Sequence, residues 1–231
     1  MNAIDKLFAE CIVRQSSDLF CSSMGMYVRD RGDIGIIREQ SLYKDMLQFK
    51  KPGLLLDLGA HIGASVRFFL DNSIADTIIS VEPDPSNFNM LVKNWGCDNR
   101  VELHQQAVVD DTAQETVPLY LGKTYSSDNS LENFRGRRRI DVPTIQFDEL
   151  LARRPRAIKC DIEGSEYSLD WAKVPESVTE ICMEMHQFRP AWLEQQHVID
   201  NKLLALGFHH VKAPKHDEVF FRRTQIVIWA R

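Results

Sequence analysis

A chain of 231 residues, 44% hydrophobic and 26% charged, is long enough for one sizeable α/β core and too short for two full domains. Its formal net charge of -5 speaks against a general nucleic-acid binder, and no apolar run approaches the ~20 residues of a membrane-spanning helix. Five cysteines without a C-x-x-C pair, and a start that lacks a signal peptide, lead us to expect reduced thiols in a cytoplasmic protein.

The first 50 residues read as an extension. Ile4, Leu7, Phe8 and Ile12 recur at helical spacing over Ala3 to Val13, and Met26 to Ile37 reads as a hairpin turning at Asp30-Arg31-Gly32-Asp33. Glu39 to Phe49 reads as a helix with Leu42, Met46 and Leu47 inward. Such an extension either covers an acceptor pocket or shields one face of a sheet. Residues 51–231 would form the main domain.

That domain begins with Leu54 to Leu58, a continuous apolar run broken only by Asp57, as expected of a parallel strand covered on both faces. Gly59 and Gly63 follow, permitting positive φ and close backbone approach, and Ala64 to Leu70 continues as a helix. This is the first β-loop-α of a nucleotide-binding sheet. The spacing Asp57-x-Gly59-x-x-x-Gly63 is not the dinucleotide fingerprint G-x-G-x-x-G, and His61 stands where a middle glycine would admit a pyrophosphate. An acid at the loop mouth repels phosphate but suits a ligand with an ammonium and a sulfonium, which points to S-adenosylmethionine.

A second strand, Thr77 to Val81, delivers Glu82, whose carboxylate can accept both ribose hydroxyls. Asp84 then caps a helix with Pro85 at its first position, Phe88, Leu91 and Val92 on its apolar face, and Gly96 at its end. Val101 to Gln105 reads as strand three, with His104 a structural histidine and Ala107 just past its carboxyl end.

The interval from Thr116 to Val142 reads as irregular apart from a short strand at Val117 to Leu121. Arg135, Arg137, Arg138 and Arg139, with Arg153, Arg154 and Arg156, form either a solvated basic loop or a site for an anionic acceptor.

Strand four carries the second chemical centre. Lys159, Asp161 and Glu163 alternate onto one face opposite Ile158, Cys160 and Ile162, and three charges there need partners or a ligand. Lys159 is either functional or an ion-pair partner of Asp161. Gly164 turns the chain and Ser165 is placed to cap the next helix. Strand five, Glu180 to His186, puts Glu184 and His186 together near its end, beside Asp161 and Glu163. A carboxylate-oriented histidine titrating near neutral pH suits proton removal from an acceptor. The same residue types can bind a divalent metal, but no spacing identifies one, so no metal is expected. Ala191 to Leu206 reads as a helix ended by Gly207, followed by strands Glu218 to Phe221 and Gln225 to Ala230, necessarily antiparallel across so short a connection.

The set Asp57-x-Gly59-Ala60-x-x-Gly63, Glu82-Pro83, Ala107, Lys159-x-Asp161-x-Glu163-Gly164 and Glu184-x-His186 resembles the FkbM family of S-adenosylmethionine-dependent methyltransferases over about Pro52 to His186. The resemblance implies a Rossmann-like class I fold: a mostly parallel seven-stranded sheet with a C-terminal antiparallel strand and helices on both faces. It implies cofactor contacts from the loop Asp57, Gly59, Ala60, His61, Ile62 and Gly63, from Glu82 and Pro83, from Ala107 near the adenine, and from Asp161. It also implies O-methylation of a hydroxyl on a sugar, glycan or other natural product, with S-adenosylhomocysteine as product. Catalysis is assigned to Asp161, Glu163, Glu184 and His186. An N-methyltransferase and a catalytically silent S-adenosylmethionine-binding module are the alternatives, whereas a nicotinamide dehydrogenase lacks its glycine spacing.

Overall fold

The structure, a computed structural model, describes residues 12–15, 18–21, 25–39, 53–110, 113–122, 129–133, 136–186, 190–212 and 224–231. At the N-terminus, β1 (Ile12–Gln15), β2 (Asp18–Cys21) and β3 (Met26–Val28) form a small antiparallel sheet, and α1 (Arg31–Glu39) follows. The expected hairpin over Met26 to Ile37 is therefore a strand followed by a helix. Asp30 explains the difference: its Oδ1 accepts from the backbone N–H groups of Gly32 and Asp33 at 2.7 and 3.3 Å, which caps a helix rather than turning a hairpin. Of the helix expected over Ala3 to Val13, only Ile12 and Val13 are described, and they belong to β1; of the helix expected over Glu39 to Phe49, only Glu39 is described, as the end of α1.

The main sheet and its helices follow the order β4 (Leu54–Leu58), α2 (Ala64–Asp71), β5 (Thr77–Val81), α3 (Pro85–Trp95) and β6 (Val101–His104). A side sheet comes next, with β7 (Ala107–Val109), β8 (Thr116–Leu121) and β9 (Arg138–Gln146), before α4 (Phe147–Ala152) returns the chain to β10 (Ala157–Cys160). Two 3₁₀ turns, Ser165–Ser168 and Trp171–Lys173, lead to β11 (Glu180–His186), then α5 (Pro190–Ala205), β12 (His209–Lys212) and β13 (Thr224–Ala230).

Seven strands lie in the order β6-β5-β4-β10-β11-β13-β12, parallel from β6 to β11, with β13 antiparallel to both its neighbours. This is a Rossmann-like, mostly parallel sheet with helices on both faces. The two faces are legible in β4. Leu56 and Leu58 pack with Ile158, Met183, Phe147 and Leu203, whereas Leu55 packs with Val66 and Phe69 of α2 and Leu91 of α3. All three leucines are fully buried, each contributing roughly 1.5–3 kcal/mol of apolar transfer. Among the described residues no helix is long and apolar enough to cross a membrane.

Two further expectations change. Within the interval 116–142, β9 pairs antiparallel with β8 and parallel with β7, so Arg138 and Arg139 lie on a strand. The antiparallel partner of β13 on its outer side is β12, a strand not expected from the sequence, while the strand expected at 218–221 lies outside the described residues. The N-terminal segment also packs directly on the loop that follows β4. Met26, Ile34 and Ile37 are buried against Ile62, Ala64 and Met90, and Asn94 Nδ2 donates to the carbonyls of both Tyr27 and Ile62 at 3.1 and 3.0 Å.

Candidate active site

Between β4 and β10 the connectivity reverses: the chain runs outward from β4 to β6, then returns to begin the other half at β10. Ligands of open α/β sheets bind at such a point, outside the carboxyl ends of the strands. The loops leaving β4 and β10 are in contact there. Gly59 has φ +81°, and a Cβ on it would lie 1.8 Å from the Asp161 carbonyl oxygen, so glycine is required by the neighbouring loop. Gly63, at φ +84°, leaves room for Trp95, whose indole N–H donates to the Gly63 carbonyl at 2.9 Å. His61 between them is also left-handed, at φ +51°, a region where His and Asn are enriched among non-glycine residues.

Asp57 is fully buried at the end of β4, accepting from Ser65 Oγ at 2.5 Å. Parallel register sets Lys159 of β10 beside it, with Nζ 3.2 Å from Asp57 Oδ1, 3.7 Å from Asp161 Oδ2 and 2.6 Å from the Gly59 carbonyl. Burial pulls the Lys159 pKa down, but Asp57 and Asp161 together raise it above its ordinary value. The ion pair foreseen with Asp161 is thus shared with a nearer partner, and the lysine also fixes the glycine loop.

The end of β5 supplies Glu82, 5% exposed. Its Oε2 accepts from the His61 N–H at 2.9 Å, and its Oε1 from the Asp84 N–H at 2.9 Å and Asn87 Nδ2 at 3.3 Å. The carboxylate therefore ties the glycine loop to the start of α3, where Asp84 caps the helix as expected. Burial pushes the Glu82 pKa up to about 7 against these hydrogen bonds. Burial also lowers His61 to about 4. Pro83 is half-buried, and Ala107 is buried in the core of the side sheet with Val109, Val117, Leu119 and Val142.

Asp161, Glu163 and His186 converge at the ends of β10 and β11. β10 stops at Cys160, so Asp161 and Glu163 stand on the turn beyond it rather than on the strand face, and Glu163 adopts φ +54°. His186 is 1% exposed, with Nε2 3.3 Å from Glu163 Oε2 and 4.0 Å from Asp161 Oδ1. One donor atom from each of Asp161, Glu163 and His186 lies within 4.8 Å of the others. Glu184, one register step back, has its pKa pushed to about 8 by burial and by Asp161.

Glu166 was not foreseen from the sequence. This fully buried carboxylate accepts from His186 Nδ1 at 3.0 Å and from the backbone N–H groups of His186 and Gly164 at 2.9 and 2.8 Å. The only local signal was a second acid three residues after Glu163. Ser165 does not cap the turn: Gly164, at φ +99°, holds that position, and the Glu166 side chain satisfies its N–H. Burial depresses the His186 pKa, but Glu166 and Glu163 on its two ring nitrogens outweigh burial and hold it well above 6.5. The two carboxylates thus favour the protonated form of the imidazole. Glu163 has its own pKa raised by burial, against the pull of His186.

Several arginines are engaged away from this cluster. Arg139 pairs with Asp141 at 2.7 Å and Arg153 with Glu102 at 2.8 Å, while Arg156 donates to the Ile74 carbonyl at 2.9 Å. Arg135 lies outside the described residues.

No curated protein matches the chain. Among solved structures, methyltransferase FkbM from Methylobacillus flagellatus KT is 14% identical with a TM-score of 0.48, over 86% of this chain and 52% of that one, so this chain spans about half its length. An rRNA methylase from Streptococcus thermophilus is 7% identical with a TM-score of 0.48, over 83% and 94% of the two chains. TYW2 of M. jannaschii, in complex with AdoMet, is 12% identical with a TM-score of 0.44, over 95% and 84%. A family model described as Methyltransferase FkbM domain matches residues 57–209, more than half of the 231 residues, and reaches from Asp57 through the whole carboxylate–histidine cluster. The chain belongs to the FkbM methyltransferase domain family.

Proposed function

We propose that this chain is an S-adenosylmethionine-dependent O-methyltransferase acting on a hydroxyl of a sugar, glycan or other natural product. The observation that carries the reading is the meeting of two sites in one place. The loop of Asp57, Gly59 and Gly63 touches the Asp161 turn, and one strand further on Glu163 meets His186.

The residues present fit the cofactor. Left-handed backbone at Gly59, His61 and Gly63 forms the loop, the buried Asp57–Lys159 pair holds it, and Glu82 offers a carboxylate to the ribose. When bound, S-adenosylmethionine supplies an already activated methyl group. The chain itself must align the acceptor oxygen with that methyl and take the hydroxyl proton. Alignment of this kind reaches effective molarities of ~10⁵ to 10⁸ M, and proton removal typically adds ~10² to 10⁴-fold.

We assign the proton to Glu163. A carboxylate whose pKa is raised by burial is a better base than an ordinary one, and His186 beside it favours the charged form until transfer. Asp161, 23% exposed on its side chain, is placed to orient the acceptor. A nitrogen acceptor is the second reading, favoured by the same carboxylates, because Asp161, Glu163 and Glu184 suit an ammonium as well as a hydroxyl.

The test is calorimetric titration with S-adenosylhomocysteine, followed by transfer of labelled methyl into size-fractionated extract of the source cells, with Glu163→Gln as the blank. Binding with label above the blank, in a product resistant to amine-directed chemistry, supports O-methylation. Label in an amine product supports the nitrogen reading. Absence of binding removes the cofactor assignment.

A further inference from the structure

A short segment of the side sheet reaches both halves of the site. Asn129 and Ser130 stand opposite Tyr120 of β8, with Tyr120 N–H donating to the Ser130 carbonyl at 2.8 Å and Ser130 N–H to the Tyr120 carbonyl at 3.1 Å. The Asn129 amide spans two partners: its Oδ1 accepts from the Gly122 N–H at 2.7 Å, and its Nδ2 donates to Asp84 Oδ2 at 2.6 Å. Asp84 in turn donates its N–H to Glu82 and caps α3 through its other oxygen. Ser130 is 1% exposed, and its hydroxyl donates to the Glu163 carbonyl at 2.5 Å while accepting from the Glu132 N–H at 3.1 Å. Glu163 is the residue held at φ +54°, a conformation that persists only where the surroundings enforce it.

We propose that Asn129 and Ser130 are positioning residues that form a two-sided clasp, Asn129 setting the cofactor-side loop through Asp84 and Ser130 setting the acceptor-side turn through the Glu163 backbone. The proposal rests on the methyl-transfer reading only for what each loop does. Neighbouring residues on one segment then control two separable properties of the site. Their partners are some 30 to 45 positions away in sequence, at |i−j| of 33 and 45, so neither contact belongs to local turn geometry.

The full chain and its variants Asn129→Ala, Ser130→Ala and Ser130→Thr are compared by two measurements. The first is affinity for S-adenosylhomocysteine by calorimetry. The second is the titration of the His186 imidazole by NMR, which reports where Glu163 sits because, among the described residues, Glu163, Glu166, Asp161 and Glu184 are carboxylates that act on that ring. Asn129→Ala is expected to weaken S-adenosylhomocysteine about tenfold, in line with loss of a hydrogen bond to a charged group, and to leave the His186 titration in place. Ser130→Ala is expected to leave affinity within about twofold while moving the His186 midpoint down, as the released Glu163 stops stabilising the imidazolium. Ser130→Thr, which keeps the hydroxyl, restores the midpoint. Should the alanine variant not fold, Ser130→Cys, close in size with a weaker donor, takes its place.

Equal loss of affinity in both alanine variants, or an unmoved His186 midpoint in Ser130→Ala, overturns the clasp. Failure of the wild type to bind S-adenosylhomocysteine overturns the cofactor reading and the Asn129 half, and leaves the Ser130 half to be decided by the His186 titration alone.

Discussion

Replacing Lys159 by methionine tests the electrostatic centre of the site. The side chain is buried, and its ammonium lies 3.2 Å from Asp57 Oδ1 and 3.7 Å from Asp161 Oδ2. At an effective dielectric of about 20, the two gross attractions are about 5 and about 4 kcal/mol. Desolvation offsets much of that sum, and Asp161 is partly screened by solvent. The net effect of Lys159→Met is the cost of leaving Asp57, fully buried, with an uncompensated charge, which for a broken buried pair is ~3–5 kcal/mol. In a domain of this size that corresponds to a fall in Tm of roughly 6–20 °C. Urea unfolding at pH 7 measures the loss directly, and Lys159→Met with Asp57→Asn should recover a large part of it by removing the orphaned charge. Because the folded-state pKa of Lys159 is raised, its contribution is intact through neutral pH and is lost only as pH climbs beyond the ordinary lysine value of 10.5. A loss below about 1 kcal/mol in Lys159→Met, or no recovery in the double variant, would refute the reasoning.

Gly59→Ala places a Cβ 1.8 Å from the Asp161 carbonyl at a φ of +81°; it should cost several kcal/mol and abolish S-adenosylhomocysteine binding, whereas Gly35→Ala, within α1 and with nothing near its Cβ, should leave calorimetry unchanged and raise stability by up to about 1 kcal/mol in thermal melts. Glu82 titrates at about 7 rather than 4.5, so its ionisation costs the fold stability as pH rises through that window, yet the same window creates the carboxylate that the ribose needs. Affinity for S-adenosylhomocysteine should therefore rise between pH 6 and 8 with a midpoint near 7, and a pH-independent affinity in wild type, or the same rise in Glu82→Gln, would count against the ribose assignment. His186→Ala should slow methyl transfer by ~10²-fold or more while changing cofactor affinity far less, and a parallel loss of both would mean that the histidine only holds the fold.

Strand limits and loop chemistry were legible in the sequence wherever a local pattern specifies them. The unbroken leucines of β4, the glycines after Asp57, the Asp84-Pro85 start of α3 and the alternation of β11 all appear where the residues predict, because periodicity and turn chemistry act over a few positions. The same locality explains the hairpin misread at Asp30: an acid before a glycine serves a turn or a helix cap, and the buried Ile34 and Ile37 decide in favour of the helix only when β3 and α1 pack on Ile62 and Met90.

Tertiary structure alone decided partners and charge states. Parallel register between β4 and β10 turned Lys159 toward Asp57. The turn after β10 carried Glu166 under His186, where it favours the protonated ring, and the side sheet brought Asn129 and Ser130 to Asp84 and Glu163. No spacing encodes these outcomes, since a pKa depends on burial and on which charges lie within a few ångströms. Those neighbours come from strands and loops tens of residues apart, and only the folded chain sets them side by side.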